Sequence, residues 1–454
     1  MTTDIRPTAP PDQLSLGEQM PASYERTAEH LDRPSPRSAA ASLATGDEIV
    51  VLSAAGKGAP VAWRERLTVH ADREGAAAAE LTRAGTIVEA MVLSTCGRFD
   101  IYAVASDADR AERELLQWVA RRSGCPVETV AGRVLTLRGR AAARHVIATA
   151  AGLRSPVLGE HEILGQLRRA RDRAAGSGAA GPTLDRLVVE ALRAGGRVRA
   201  TTALGRGSVS VLSVGLHVAV ELCPPAGRRA LVLGSSRTAS AARERLLADG
   251  WGVTSAVDLS APSPLGTFLQ AFDAIVTCTG TSGTIVPAHA LADAAARRGG
   301  TPLLVIDLSV PRDVDPRASH ADGVLLYDVD ALAARAAPAV ACRRTGIPAA
   351  EQIVEAELDH FEAWRADRIL APTLKALRGH ARNLVVDALA DAAPSGSAAE
   401  SDARTVERMV GRLLHAPTRR LREAAADGSG SHRALLVQLL FGLDDDLAAL
   451  RAGA

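Results

Sequence analysis

Four apolar strands alternate with helical segments between residues 230 and 308, and this alternation restricts the possible folds more than any other feature of the chain. We expect strands at Ala230–Gly234, Val253–Val257, Asp273–Cys278 and Leu303–Leu308, and a helix at Thr238–Asp249. Strands that alternate with helices predict a parallel, doubly wound sheet.

The region upstream of this sheet has a different pattern. We expect strands at Glu48–Ala55, Ile87–Leu93 and Arg98–Val104, the third alternating like a half-buried strand, and helices at Asp109–Arg121 and Arg138–Ala151. Strands first and helices after predict an α+β domain that ends near residue 200.

The region downstream of about residue 330 is almost wholly helical in composition. Glu351–Asp367 carries apolar residues near helical spacing, and Ala392–Ser401 is a break rich in serine and alanine before another helix. Long helices without an obvious compact core usually pair with another chain, so we expect a homodimer. A monomeric bundle is the alternative.

Composition limits the class of protein. A length of 454 residues predicts two or three domains, and 53 basic against 52 acidic residues leave no overall field that marks a nucleic-acid binder. Residues 1–46 are rich in Pro, Ser and charge and predict a disordered leader. There is no signal-peptide pattern and no apolar run of membrane-spanning length, so we expect a soluble cytoplasmic protein without membrane contact. The five cysteines are widely spaced, so neither a metal site nor a disulfide framework is expected.

A cysteine lies where a buried strand ends, in the segment Ser94–Arg98 (STCGR). Strand ends project functional groups into clefts, and the Arg98 guanidinium could lower the pKa of the Cys96 thiol and hold an anionic substrate. The alternative is a buried structural cysteine.

Glycines and charged side chains are concentrated in Gly152–Gln166 (GLRSPVLGEHEILGQ). Such a turn-rich segment suits a polar pocket for an amino acid, with His145 one helix upstream, although a lone histidine is often structural. His161 and Glu162 lack the partners of a metal motif. A basic stretch follows, with nine arginines and three acids between Gln166 and Arg206, which suits either a phosphate backbone or a solvated helix face.

The turn between the first strand of the parallel sheet and its helix reads GSSRTA from Gly234 to Ala239. A dinucleotide site needs a glycine-rich turn here, so that a pyrophosphate can approach the helix N-terminus. Gly234 is the one glycine of that pattern that is present.

In this order, the segments resemble the glutamyl-tRNA reductase family from about residue 48 to the C-terminus. The resemblance is carried by Lys57–Leu67 (KGAPVAWRERL), Ser94–Tyr102 (STCGRFDIY), Gly152–Gln166, Gly195–Thr202 (GGRVRATT), Val305–Pro316 (VIDLSVPRDVDP), Tyr327–Leu332 (YDVDAL) and Leu413–Ala425 (LLHAPTRRLREAA).

The resemblance implies roles for the matching residues. Cys96 would attack the ester carbonyl between glutamate and tRNA to form a thioester, and NADPH would deliver hydride to release glutamate-1-semialdehyde. His145 matches a position implied in proton transfer. The positions implied to hold the glutamyl group are Thr95, Gly97, Arg98, Ser155, Glu160, His161, Glu162 and Gln166. Among them, Arg98 suits a carboxylate, whereas Glu160 and Glu162 suit the α-ammonium. The positions implied to face the NADPH pyrophosphate are Gly234, Ser235, Ser236, Arg237, Thr238 and Ala239.

The family also implies an architecture and partners. The expected fold class is an α/β multidomain protein: an α+β catalytic domain that binds glutamyl-tRNA (47–203), a Rossmann-like parallel-sheet domain that binds NADPH (204–332) and an all-helical dimerisation domain (333–454). The reaction would be the first step of tetrapyrrole (porphyrin) biosynthesis by the five-carbon route. The implied partners are glutamyl-tRNA(Glu), a second copy in a V-shaped homodimer, and the glutamate-1-semialdehyde aminomutase that takes the unstable product.

Several positions depart from the family pattern. Gly97 replaces an asparagine, Gly58 a threonine, Arg154 an aspartate and Glu162 a frequent glutamine. The turn GSSRT replaces a GAGEM-like sequence, and Val253–Asp258 stands where Asn-Arg-Thr would suit the 2′-phosphate of NADPH. Asp258 near a ribose favours NADH, and Arg237 could offset this.

These departures leave two alternatives to the reductase. A divergent paralogue would bind glutamyl-tRNA, or hydrolyse its ester through Cys96, without reduction. A non-catalytic dimeric scaffold would only dock the aminomutase, but it would need none of Cys96, Arg98, His145, Glu160 and Gln166.

Overall fold

The computed structural model describes residues 47–83, 85–160, 162–205, 210–223, 227–257, 259, 264–281, 283–336, 341–392, 403–426 and 430–443. These residues form two compact units, one within Ile49–Glu355 and one within Ala356–Ala454. The leader predicted for residues 1–46 lies outside the described residues.

The first unit begins with a four-stranded sheet of order β2-β3-β1-β4. Its strands are β1 (Glu48–Ala55), β2 (Ile87–Ser94), β3 (Arg98–Ala105) and β4 (Leu135–Arg138). Its helices are α1 (Val61–Leu67), α2 (Glu74–Thr82), α3 (Ala108–Ser123), α4 (Val127–Ala131), α5 (Gly139–Ala150), α6 (Glu162–Gly176) and α7 (Pro182–Thr201). Strands β2 and β3 form an antiparallel hairpin, and β4 pairs antiparallel with β1. The predicted α+β arrangement is confirmed, with β4 as an additional strand.

Strand β3 is buried at all eight positions, so the prediction of a half-buried strand was wrong. The strand is interior to the sheet, and its polar residues contact one another instead of water. Asp100 accepts hydrogen bonds from Tyr102 and from Ser53 on β1, and it lies beside Arg98. The alternation of polar and apolar residues therefore marks a buried polar network. Asp100 can be buried because it is paired with neighbouring polar groups.

The second sheet is parallel throughout and has the order β6-β5-β7-β8-β9. Its strands are β5 (Arg229–Leu233), β6 (Gly252–Ala256), β7 (Ala274–Thr277), β8 (Leu303–Asp307) and β9 (Val324–Tyr327). The helices of this part are α8 (Val211–Leu222), α9 (Arg237–Ala248), α10 (Leu265–Leu269), α11 (Ala288–Ala296) and α12 (Val329–Ala336). This arrangement confirms the predicted doubly wound sheet.

Alternate residues of β5 pack into two different hydrophobic cores, one on each face of the sheet. Val232 packs in one cluster with Leu246 of α9, and Leu231 packs in another with Leu291 of α11. Successive side chains of a strand point to opposite faces, so burial of both faces explains the continuous apolar run. The parallel register brings the carboxyl ends of β5, β7 and β8 to one edge.

The second unit is helical and contains α13 (Ile347–Ala392) from Ala356 onward, α14 (Ala403–Ala426) and α15 (Gly430–Phe441). Small apolar clusters join the helices, such as the one containing Leu377 and Val410. The predicted helical region is confirmed, and most of the predicted break, residues 393–401, lies outside the described residues. Short 3-10 turns elsewhere are Gly56–Gly58, Ala71–Arg73, Ala203–Gly205, Pro316–His320 and Ala341–Gly346. Within the described ranges, no helix combines the length and the apolar character needed to cross a bilayer.

Candidate active site

A cavity of about 560 Å³ lies between the β2–β3 hairpin and the carboxyl edge of the parallel sheet. Seven of the predicted site residues line it: Thr95, Cys96, Glu160, Glu162, Gln166, Ser236 and Thr238. The lining does not include Gly97, Arg98, His145, Ser155, Gly234, Ser235, Arg237 or Ala239, and His161 lies outside the described residues. The fold thus brings residues from three separate stretches of sequence to one cavity.

Cys96 lies at the tip of the β2–β3 hairpin. The Thr95 N–H donates to the Arg98 carbonyl at 2.9 Å and the Gly97 N–H donates to Thr95 Oγ1 at 3.3 Å, so the turn is closed by its own backbone. The Cys96 side chain is half-buried and packs against the apolar edge of the parallel-sheet core. This placement presents the sulfur to the cavity.

The Cys96 thiol is uncharged at neutral pH. Burial raises its pKa to about 12, the negative charges of Glu160 and Glu162 act in the same direction, and Arg64 offsets part of the shift. This result differs from the expectation that Arg98 lowers the pKa: Arg98 is not among the groups that shift it, and its Nε lies 2.9 Å from Asp100 Oδ2.

Arg98 is 2% exposed and has a free hydrogen-bonding position. Its Nε lies 2.9 Å from Asp100 Oδ2, and its Nη2 donates to the Arg154 carbonyl at 3.2 Å. Its Nη1 is buried without a hydrogen-bond partner among the residues described. Buried polar groups are normally paired, so this N–H suits an anionic group of a ligand.

His145 on α5 is buried and neutral. Burial, together with the positive charges of Arg98 and Arg154, lowers its pKa well below the ordinary range. Both ring nitrogens are buried without a hydrogen-bond partner in the described part of the chain. A neutral imidazole retains one nitrogen that can accept a proton.

The segment between α5 and α6 is closed by two glycines with positive φ. Gly159 N–H donates to the Gly152 carbonyl at 3.0 Å, and the two residues have φ of 76° and 75°. A Cβ at Gly152 would lie 2.9 Å from Gly159 Cα, and a Cβ at Gly159 would lie 2.7 Å from the Leu204 carbonyl oxygen. No side chain fits at either position, so these glycines shape the loop that carries Ser155 and Glu160.

Glu160 ends this loop and is 9% exposed. Burial raises its pKa to about 7, Glu162 contributes in the same direction, and Arg98 opposes the shift. A cation bound beside Glu160 would favour its ionised form and lower this pKa, so the carboxylate suits recognition of an ammonium group.

The turn after β5 combines one glycine with a serine cap. Gly234 has φ of 120°, and a Cβ there would lie 2.6 Å from the Cys278 carbonyl oxygen. Ser236 Oγ accepts from the Ala239 N–H at 3.1 Å, which caps α9, and donates to the Cys278 carbonyl at 2.9 Å. The N-terminus of α9, with Thr238, thus faces the cavity and is suited to a phosphate group.

Polar residues that the sequence analysis did not select complete this edge of the cavity. Asp313 accepts from the Thr279 N–H at 2.9 Å and from the Thr279 and Ser309 hydroxyls at 2.5 Å each. Asp307 accepts from Thr277 Oγ1 at 2.9 Å. These carboxylates fix the loops after β7 and β8, and the signal for them was the run of short polar residues in VIDLSVPRD.

Helix α1 supplies a further contact to the nucleophile hairpin that sequence reasoning missed. Arg64 is 1% exposed, and its Nε donates to the Cys96 carbonyl at 3.0 Å. Its Nη2 contacts Asp330, at the start of α12, at 2.9 Å. An arginine among the apolar residues of a short helix was the only local signal.

The basic stretch on α6 and α7 is partly paired with acids. Ion pairs join Arg171 to Asp172 and Asp185, Arg173 to Glu74, and both Arg186 and Arg193 to Glu190. The solvated-face interpretation therefore accounts for four of the nine arginines. Among the described residues, no cluster of histidine, cysteine and acidic side chains could hold a metal ion.

Comparisons with known proteins agree along most of the chain. Residues 52–202 match the model of the glutamyl-tRNAGlu reductase N-terminal domain, 225–334 the shikimate/quinate 5-dehydrogenase model, and 349–443 the glutamyl-tRNAGlu reductase dimerisation domain. A solved structure, glutamyl-tRNA reductase from Methanopyrus kandleri, aligns with 84% of this chain and 98% of its own at 23% identity and a TM-score of 0.43.

Curated relatives cover nearly the whole of both chains. Glutamyl-tRNA reductase from Salinispora arenicola (strain CNS-205) is 35% identical over 430 residues, which are 87% of this chain and 92% of that protein. Its counterpart from Sorangium cellulosum (strain So ce56) is 33% identical over 429 residues, or 86% of this chain and 81% of that protein. The chain therefore belongs to the glutamyl-tRNA reductase family of oxidoreductases.

Proposed function

We propose that this chain reduces the glutamyl group of glutamyl-tRNA(Glu) to glutamate-1-semialdehyde, at the start of tetrapyrrole biosynthesis, through a thioester on Cys96. The single observation that carries the proposal is the shared cavity. Cys96, at the tip of one hairpin, and the N-terminus of α9, on the nucleotide-type sheet, both line it.

The first chemical step uses Cys96. Its sulfur attacks the ester carbonyl carbon, a C–S bond forms, the C–O bond to the tRNA breaks, and the thiol proton passes to the departing tRNA hydroxyl. We assign the relay of this proton to His145 on the family resemblance: its two ring nitrogens are buried without a hydrogen-bond partner among the described residues, and its lowered pKa means that it would pass the proton on and not retain it. A thiol with a pKa of about 12 needs such help. The substrate ammonium beside Glu160 and Glu162 would also cancel the charges that raise this pKa.

The glutamyl group is held by groups of complementary charge. The buried Arg98 Nη1 would bind the side-chain carboxylate, and Glu160 with Glu162 would bind the α-ammonium. The remaining proposed contacts are Thr95, Gly97, Ser155, His161 and Gln166.

The nucleotide edge fits a nicotinamide cofactor, and NADPH is the proposed one. The cradle is Gly234–Ala239, where the absence of a Cβ at Gly234 allows close packing and Ser236 caps α9 by accepting from the Ala239 N–H. When bound, the cofactor supplies the hydride that converts the thioester to an aldehyde and returns Cys96 to a thiol. Arg237 is exposed and its charge acts on Glu162 and Arg169, so it is available to an anionic group at this edge. Asp258, the residue that would favour NADH, lies outside the described residues.

The proposed organisation follows the expected three parts: a catalytic domain (47–203), a cofactor domain (204–332) and a dimerisation domain (333–454). A homodimer is supported by the dimerisation-domain match and by exposed apolar side chains of the second unit, among them Leu413, Leu439 and Leu440. The aminomutase as receiver of the product, and a cytoplasmic location, belong to the same proposal.

One observation favours a second candidate, a paralogue that releases tRNA without reduction. The turn GSSRT retains a single glycine, and the Ser236 side chain occupies the cap position instead of a ligand site.

The test incubates the purified chain with glutamyl-tRNA, with and without NADPH, and measures free tRNA and semialdehyde. The reductase requires NADPH-dependent semialdehyde, and a Cys96→Ser variant should form neither thioester nor product. Release of tRNA without formation of semialdehyde would support the paralogue. If neither product forms, only the scaffold remains. Full reductase activity in Cys96→Ser would refute the mechanism.

A further inference from the structure

Helix α1 joins the nucleophile hairpin to the parallel-sheet part of the first unit through two adjacent charged residues, Arg64 and Glu65. Each one contacts a different segment of that part. Both contacts lie within one compact unit of the chain.

Arg64 makes three contacts with three separate segments. Its Nε donates to the Cys96 carbonyl at 3.0 Å, its Nη1 to the Ala59 carbonyl at 2.5 Å, and its Nη2 to Asp330 Oδ1 at 2.9 Å. The second oxygen of Asp330 accepts from the Val61 N–H, at the start of α1, at 2.8 Å. The planar guanidinium fixes these partners in one geometry, which a lysine could not do.

Glu65 forms a bidentate pair with Arg312. The distances are 2.8 Å from Arg312 Nε to Oε1 and 2.9 Å from Nη2 to Oε2, and the Arg312 backbone N–H also donates to Oε1 at 2.7 Å. Arg312 lies two residues after Val310, the last of the cavity-lining residues Leu308–Val310. Glu65 therefore fixes the loop that supplies Leu308–Val310 to the cofactor-side wall of the cavity.

We propose that Arg64 and Glu65 are positioning residues that hold the cofactor-side wall in register with Cys96, so that their contacts with Asp330 and Arg312 are needed for reduction and not for thioester formation. This inference rests on the proposed function. Attack by Cys96 uses groups of the first sheet and its loops, whereas reduction needs both sides of the cavity at once.

A loosened wall exposes the thioester to water. Water would attack the thioester carbonyl, the C–S bond would break, the sulfur would regain its proton, and free glutamate would leave in place of semialdehyde. The ratio of semialdehyde to released tRNA therefore measures how well the cofactor-side wall is aligned with Cys96. Release of tRNA reports thioester formation, and semialdehyde reports reduction.

The experiment compares Arg312→Gln and Asp330→Asn with the unchanged full-length protein, using glutamyl-tRNA and NADPH. Arg312 and Glu65 are 21% and 20% exposed, so Arg312→Gln is the milder change and guards against a folding defect in Asp330→Asn, which leaves Arg64 buried without its carboxylate. Arg335→Gln is the matched control, because it breaks an ion pair with Glu221 that does not involve α1.

We expect both variants to release tRNA within about twofold of the unchanged protein, and to form about tenfold less semialdehyde per tRNA released, with glutamate making up the difference. The control should keep the original ratio. An unchanged ratio in Arg312→Gln, or an equal fall in tRNA release and semialdehyde, would overturn the inference. Absence of Cys96-dependent tRNA release in the unchanged protein would instead reject the proposed function.

Discussion

Gly97 lies against the ring of Pro156: a Cβ at Gly97 would be 3.2 Å from Pro156 Cγ and 3.3 Å from Cδ. Gly97, which replaces the family's asparagine beside the nucleophile, thus leaves room for the Pro156 ring that packs against it. The departure at Gly97 has a local steric reason.

Restoring the asparagine by Gly97→Asn should lower stability and activity, since the crowded ring cannot yield easily. The expected cost is about 1–3 kcal/mol in the free energy of unfolding. Pro156→Ala should reverse most of this cost in the double variant, and a double-mutant cycle of denaturant unfolding with kcat/KM would measure the coupling. Additive effects of the two substitutions would contradict a direct contact.

Glu160→Gln should make Cys96 more reactive toward alkylation in the free protein. The negative charge of Glu160 raises the pKa of the thiol, so its removal lowers that pKa and increases the thiolate fraction at pH values above about 7, where Glu160 is ionised. Each unit by which the pKa falls gives about tenfold more thiolate. Iodoacetamide labelling against pH, in a Cys125→Ser background, measures the effect.

Glu128→Gln is the control for this labelling, because Glu128 is exposed and is not among the groups that shift the Cys96 pKa. Equal labelling profiles for Glu160→Gln and the background would show that Glu160 does not act on the thiol.

Gly159→Ala should destabilise the protein more than Gly178→Ala. Both glycines have positive φ, 76° and 73°, so each alanine incurs a backbone strain of about 1–2 kcal/mol. The alanine Cβ at position 159 would also meet the Leu204 carbonyl oxygen at 2.7 Å, whereas position 178 opens onto free space. Thermal unfolding of the two variants isolates the steric part, and equal shifts in Tm would be inconsistent with this packing.

His145 should remain neutral at pH values at which an ordinary histidine is protonated. Burial and the charges of Arg98 and Arg154 disfavour the imidazolium, so the unfolded chain takes up a proton that the folded chain refuses. This group therefore lowers the free energy of unfolding as pH falls below about 6.5. Nitrogen-15 NMR titration, with His145→Gln to identify the signal, measures the protonation directly. A midpoint near 6.5 would exclude the proposed environment.

The parallel sheet was predictable because its strands are buried on both faces and read as continuous apolar runs. Strand β4 (Leu135–Arg138) was not predicted, since four half-buried residues carry too little pattern to separate them from a loop. The prediction for β3 was wrong for a different reason. Alternation reveals which residues share a face, but it does not reveal whether that face meets water or the Asp100 network.

The cavity was predictable only as two halves. Motifs placed Cys96 at a strand end and Gly234 at a nucleotide-type turn, but no local signal showed that these places face one cavity. Arg64 and Asp330 are 266 residues apart, and their contact depends on how the two sheets are packed. Such partners become visible only when the tertiary structure is known.

The close packing of Gly234 against the Cys278 carbonyl has a consequence for reading relatives of this chain. A glycine is required there to let two neighbouring strand ends meet, whatever the chain binds. A relative that no longer transfers hydride would still keep this glycine, because the packing of the strand ends requires it. The history of cofactor use is better sought at Thr238, which lines the cavity, than at Thr279, whose hydroxyl is bonded to Asp313.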